Sequence, residues 1–233
     1  LKIASLTTGF RWADPDEFVR EYAIDCWKRM IEIAEILDVK VFNTELGPGR
    51  DNPELREAKL MRSLDVLVPL LESKGMRLDV QAHPDDFYEH NNDAYDIIRY
   101  YDSPALAYLY SIPHTFHYDG GKGDIEKNLK YTRKHLKHVL FADTYDYTKL
   151  FRYNVNPSPL YANGSVDFDR IFKTLREMGF NEQDDTIATF NPLGFPERAI
   201  EDGAYTRKMI EDNLVNVPSI TEPEPESYGF FAR

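Results

Sequence analysis

Cysteine is nearly absent. Cys26 is the one cysteine in 233 residues, so no disulfide can form within the chain, which fits a reducing cytoplasm. Its place inside an amphipathic segment reads as a packed thiol, not a nucleophile. Basic charge is scarce too: 28 Lys and Arg against 40 Asp and Glu give a net charge of -12. That excludes a broad basic face for nucleic acid or for a membrane surface, although a local anion subsite stays open. No apolar run has the length of a bilayer span, and no signal peptide is expected ahead of the first strand-like run. No Gly-rich phosphate fingerprint follows any strand-like run, which weakens a nucleotide-binding reading. The chain starts at Leu1, without methionine and directly in a strand-like run; a truncated or missing N-terminal portion is the expectation.

What is present is alternation. Leu1–Leu6 reads as a strand, and Asp14-Pro15 opens a helix by cap and fixed first turn that runs to about Leu37. Its apolar residues Phe18, Tyr22, Cys26, Met30, Ile33 and Leu37 follow the helical period. Val39–Leu46 is the next strand. A helix from Pro53 to Ser73 carries Leu60, Leu64, Leu67 and Leu71 on one face and stops at Gly75. Arg77–His83, Ala105–Ile112, His138–Thr144 and Thr186–Phe190 are further strands. Helices are expected near 93–101, 124–137, 166–178 and 196–214. The irregular, Pro- and Asn-containing connection 145–164 is long enough to be a lid or binding loop. The acidic, Pro-containing stretch 215–233 reads as a C-terminal arm beside one domain over 1–214.

Strand and helix thus alternate six times, which calls for a parallel sheet with helices outside. An open doubly wound sheet and a (β/α)8 barrel lacking its first two βα units both satisfy the pattern. The barrel is favoured by polar and ionisable residues at the C-terminal ends of most strands: Glu45, Gln81 and His83, His114 and His117, Asp143, and Asn191. A barrel with its site at the top face needs that distribution. The stretch Pro113-His114-Thr115-Phe116-His117 stands out, with two imidazoles where a strand stops and a Gly-rich loop starts. Imidazole is the commonest metal ligand and a natural proton shuttle.

Several of these stretches, in order, resemble one family. Asn43-Thr44-Glu45, Ala82-His83-Pro84-Asp85-Asp86-Phe87, Pro113–His117, His138–Thr144 and Gly164–Phe168 look like the sugar phosphate isomerase/epimerase group, xylose isomerase-like TIM barrels related to endonuclease IV. The resemblance covers Leu1 to about Leu214 and implies that Leu1 begins the third barrel strand. It implies one divalent metal (Mn²⁺, Mg²⁺ or Zn²⁺) at the top of the barrel, held from the fifth to eighth strands. By position those ligands fall on Gln81 and His114, then on Leu140 with His138 as first member of the pattern, then near Phe190 and Asn191. A Gln where a carboxylate is usual, and no acid at Asn191, weaken that site for a hard cation. The metal is therefore expected either from Glu45, Gln81, His114 and His138, with His83 and His117 as further donors, or not at all.

The resemblance implies proton transfer next to a sugar carbonyl. Glu45 is the candidate base, a carboxylate whose pKa burial in a barrel mouth would raise. His114 and His117 are candidate contacts to the carbonyl oxygen or metal, and Asp143 a candidate orienting group. His83, Asp86 and Asn191 are the candidate sugar contacts. His138 starts its predicted strand, which fits a satisfied core histidine as well. Three functions stay open: an isomerase or epimerase; a carbon–carbon lyase, as one subunit of a two-protein C-glycoside deglycosidase; and a non-catalytic sugar-binding relative. The expected partners are a small sugar and either further copies of the chain or a second subunit, with no nucleic acid and no membrane.

Overall fold

The computed structural model describes residues 2–118, 124–144, 160, 164–191 and 196–218, leaving aside the side chains of His117, Tyr118 and Pro196. Most of the connection 145–164 and residues 219–233 of the expected arm lie outside the described residues. Six parallel strands form one sheet in sequence order: β1 (Leu6–Thr7), β2 (Val41–Glu45), β3 (Arg77–Gln81), β4 (Leu106–Ser111), β5 (Leu136–Phe141) and β6 (Ile187–Phe190). Helices α1 (Glu17–Leu37), α2 (Pro53–Lys74), α3 (Asn91–Tyr101), α4 (Ile112–Tyr118), α5 (Ile125–Thr132), α6 (Phe168–Glu177) and α7 (Ala199–Ile210) join or follow them. Sequential parallel pairing with helical crossovers is the build of part of a (β/α)8 barrel, as the alternation predicts. No helix among the described residues is long and apolar enough to cross a membrane.

Local chemistry explains most element ends. Asp16 caps α1 by accepting the Phe18 amide at 2.9 Å, so the helix begins two residues after the expected Asp14-Pro15 start; Asp14 instead accepts the Asp16 amide and pairs with Arg11. Pro53 stands in the first turn of α2, and Gly75, at φ 58°, closes it. Leu60, Leu64, Leu67 and Leu71 are buried on one face of α2, as the spacing predicts.

α1 differs from its expected orientation. The stripe Phe18, Tyr22, Ile33 and Leu37 faces solvent, Phe18 being 79% exposed. The buried face is Arg20, Ala23, Ile24, Trp27, Ile31 and Ala34. Both stripes obey the helical period, about a third of a turn apart, and packing chose the one with small residues. Ala23 and Ala34 let the helix approach the sheet, and Trp27 fills the gap against Trp12 and Phe42 at ring separations of 5.5 and 5.8 Å.

Two further boundaries move. The segment expected as the start of a loop, Pro113 to His117, is helix α4; Pro113 falls at its first turn, where a missing N–H costs nothing. β5 begins at Leu136 rather than His138, so His138 is the third residue of its strand and is fully buried.

Candidate functional site

The site grows from the C-terminal ends of β2 and β3. Glu45 is the last residue of β2 and pairs in register with Gln81, the last of β3. Its backbone carbonyl accepts the indole N–H of Trp12 at 3.1 Å. Trp12 is itself fixed, because its carbonyl accepts from Ser63 Oγ at 2.7 Å and its ring is completely buried. The loops that follow the two strands are tied together: Leu46 donates its amide to Asp86 Oδ2 at 3.0 Å, Gly49 donates to the Asp85 carbonyl at 2.8 Å, and Pro48 bridges Asp86. Gly47, at φ 127°, permits the turn; a Cβ there would crowd Ala13.

This folding brings Glu45, His83 and Asp86 together, with one ligand-capable atom from each lying within 4.8 Å of the others. His83 Nε2 is 3.2 Å from Glu45 Oε1, while Nδ1 lies 2.7 Å from the Pro84 carbonyl oxygen. The His114 ring, delivered by α4, stands edge-on to His83 with centroids 4.6 Å apart. Burial pushes Glu45 above the usual carboxylate range, against the opposing pull of His83. Asp86 is pushed up to about 8, first by burial and next by the charge of Glu45, with the Gly47 and Leu46 amides opposing. Gln81 and Ser111, at the ends of β3 and β4, are buried, and among the described residues Gln81 Oε1 and Ser111 Oγ have no hydrogen-bond partner.

The other candidates lie apart from this group. Asp143 follows β5, and its Oδ1 accepts the Thr144 and Val166 amides at 2.8 and 3.2 Å. Burial raises its pKa against those amides and those of Gly164 and Ser165. Only glycine fits at 164, since a Cβ would run into the Asp143 carboxyl. His138 lies within the sheet, Nδ1 3.2 Å from Asp79 Oδ2 and Nε2 2.9 Å from Thr189 Oγ1, so protein partners occupy both nitrogens. Asn191 follows β6, half-buried, its amide donating to the Phe141 carbonyl. The His117 side chain lies outside the described residues.

The positions at which the resemblance puts metal ligands do not fit a divalent cation: Gln81 is a neutral amide, Leu140 has no donor, and Asn191 supplies no carboxylate. Glu45, His83 and Asp86 do fit one, with two carboxylates and an imidazole that could hold a metal ion. Spacing alone gave no sign that Asp86 completes this group. The signal available was the His-x-x-Asp run after a strand, whose meaning depends on the β2 loop folding over it.

Residues 1–208 match the xylose isomerase-like TIM barrel family, and the chain belongs to it. No curated protein sequence matches. Among solved structures, the chain is similar to the IOLI protein with a bound zinc atom, at TM-score 0.75 and 20% identity over 94% of this chain and 78% of that one. It is similar to the 3-keto-D-glucoside 4-epimerase YcjR from E. coli in its apo form, at TM-score 0.69 and 17% identity over 89% and 80%. It is also similar to a D-psicose 3-epimerase in the presence of D-fructose, at TM-score 0.72 and 10% identity over 91% and 78%.

Proposed function

We propose that this chain is a sugar isomerase or epimerase that moves a proton on carbon next to a carbonyl. The observation that carries the reading is the cluster at the strand ends: the Glu45 carboxylate, half-buried and raised in pKa, faces His83 at 3.2 Å with the His114 ring against it. Structural likeness to two sugar epimerases supports the same class.

In this reading Glu45 takes the proton from the carbon beside the carbonyl, and the C–H electron pair moves into the carbonyl to give an enediolate. A carboxylate whose pKa burial raises is a stronger base than an ordinary one. His114 supplies a proton to the developing oxyanion. In an isomerase the proton held on Glu45 then goes to the former carbonyl carbon while the other enediol hydroxyl gives its proton to His114. In an epimerase a solvent proton reaches the opposite face of the same carbon, the new hydroxyl returns its proton to His114, and Glu45 releases its own to solvent. Ser111 and Gln81 offer buried polar atoms for sugar hydroxyls. A divalent cation bound in the rim would supply positive charge for the carbonyl oxygen. Incubation with a panel of free ketoses and keto-glycosides, with added Mn²⁺ or Zn²⁺ and chromatographic analysis, tests the reading. Conversion of at least one sugar into its isomer or epimer is expected; an unchanged panel would contradict it.

A further inference from the structure

The acceptors at this rim face one another. A carbonyl oxygen only accepts, so the 2.7 Å contact to Pro84 puts the imidazole proton of His83 on Nδ1. Nε2, the other ring nitrogen, lies 3.2 Å from the Glu45 carboxylate oxygen, and in the neutral ring it carries a lone pair that can ligate a cation. Asp86 adds a second carboxylate at 1% exposure; its Oδ2 accepts the Leu46 amide, and its Oδ1 is buried with no hydrogen-bond partner among the described residues. Among the described residues neither Glu45 nor Asp86 forms an ion pair with a lysine or arginine. One ligand-capable atom from each of the three lies within 4.8 Å of the others, a spacing that a single cation can bridge.

We propose that this chain binds one divalent cation through His83 Nε2 and one carboxylate oxygen from each of Glu45 and Asp86, a site on the β2 and β3 ends and not at Gln81, His114 and Asn191. The proposal rests on the reading of this rim as the reaction centre. Two carboxylates balance the charge of a divalent ion, and a mixed oxygen and nitrogen set suits Zn²⁺ or Mn²⁺ better than Ca²⁺. Three protein ligands leave coordination positions for substrate oxygens. The outer partners of the set are already in place: the Pro84 carbonyl on Nδ1, the Leu46 amide on Asp86, and the Trp12 indole on the Glu45 backbone. Such partners fix a ligand's orientation and tautomer before the metal arrives. Glu45 gives one oxygen to the ion and keeps the other for proton transfer.

The test is calorimetric titration of the EDTA-treated, desalted full chain with Zn²⁺, in the absence of any sugar, with the visible spectrum of the Co²⁺-loaded protein as a second readout. The expected result is one Zn²⁺ per chain, with affinity falling by about tenfold or more in His83→Ala and in Asp86→Asn and the Co²⁺ bands altered in both. Gln81→Leu leaves affinity unchanged. Asp86→Asn keeps an acceptor for the Leu46 amide, so the variant remains folded, which circular dichroism checks. Absence of stoichiometric binding, unchanged affinity in both folded variants, or an equal loss in Gln81→Leu would each overturn the site. No sugar takes part, so a negative titration leaves the reaction reading standing, and an inactive sugar panel leaves the cation site standing.

Discussion

Trp12 shows how a side chain can fix the backbone of the proposed base. Its indole N–H holds the Glu45 carbonyl at 3.1 Å, and its ring lies tilted against Trp27 with centroids 5.5 Å apart. Trp12→Phe keeps most of the apolar ring and deletes the donor, leaving the Glu45 carbonyl without that partner. The expected cost is about 1–3 kcal/mol in unfolding free energy, read by urea denaturation. Turnover should fall more than KM rises, because the carboxylate loses its position and not its contacts with the sugar. At this scale the sequence showed Glu45, His83 and His114 plainly, as ionisable residues at strand ends. Asp86 was legible as a candidate sugar contact but not as a partner of Glu45. Its convergence on Glu45 depends on the Leu46 amide and the Pro48 bridge, a contact between two loops about forty positions apart that no local spacing announces.

Among the elements, α1 and α2 are joined by a cluster around Glu17. Its carboxylate accepts from Arg20 on its own helix at 2.6 Å and from Lys59 on α2 at 2.5 Å, and Arg62 lies 3.1 Å away. These cations hold Glu17 well below the usual carboxylate range, at about 2, the Arg20 hydrogen bond first among them. A carboxylate whose folded pKa lies below its unfolded value adds stability that is fully present above the unfolded pKa, near 4.5, and is lost as pH falls through the folded one. Glu17→Gln should therefore be less stable than the parent at neutral pH, and the difference should shrink between about pH 5 and pH 2. Thermal melts across that range check it; a constant difference would argue against the cluster. The existence and order of the elements were legible from their periodicities. The orientation of α1 was not, because apolar residues run along both of its faces and only the sheet, by accepting Ala23, Trp27 and Ala34, selects one. The helical start at Pro113 was equally hidden, since a proline after an apolar strand marks a turn as readily as a first helical turn.

Across the whole molecule, a buried polar network spans strands that are not neighbours. Arg77 on β3 holds Asp79 at 2.6 and 3.1 Å and reaches Asp185, just before β6, at 2.6 Å. His138 on β5 links Asp79 to Thr189 on β6. The network joins β3, β5 and β6 through side chains as well as through the backbone ladder. Removing Asp79 would leave the Arg77 guanidinium buried without its main partner and His138 without its acceptor. Asp79→Ala should cost about 3–5 kcal/mol, measured by chemical denaturation, with lowered activity although Asp79 lies away from the rim residues.

The central claim is that this rim exchanges a carbon-bound proton beside a carbonyl. The most direct measurement is solvent-deuterium incorporation into ketoses and keto-glycosides, followed by proton NMR, for the parent chain and Glu45→Gln. The account predicts exchange confined to the carbon next to the carbonyl, slowed by at least about a hundredfold in Glu45→Gln. No exchange by the parent, or equal exchange by the variant, would contradict it.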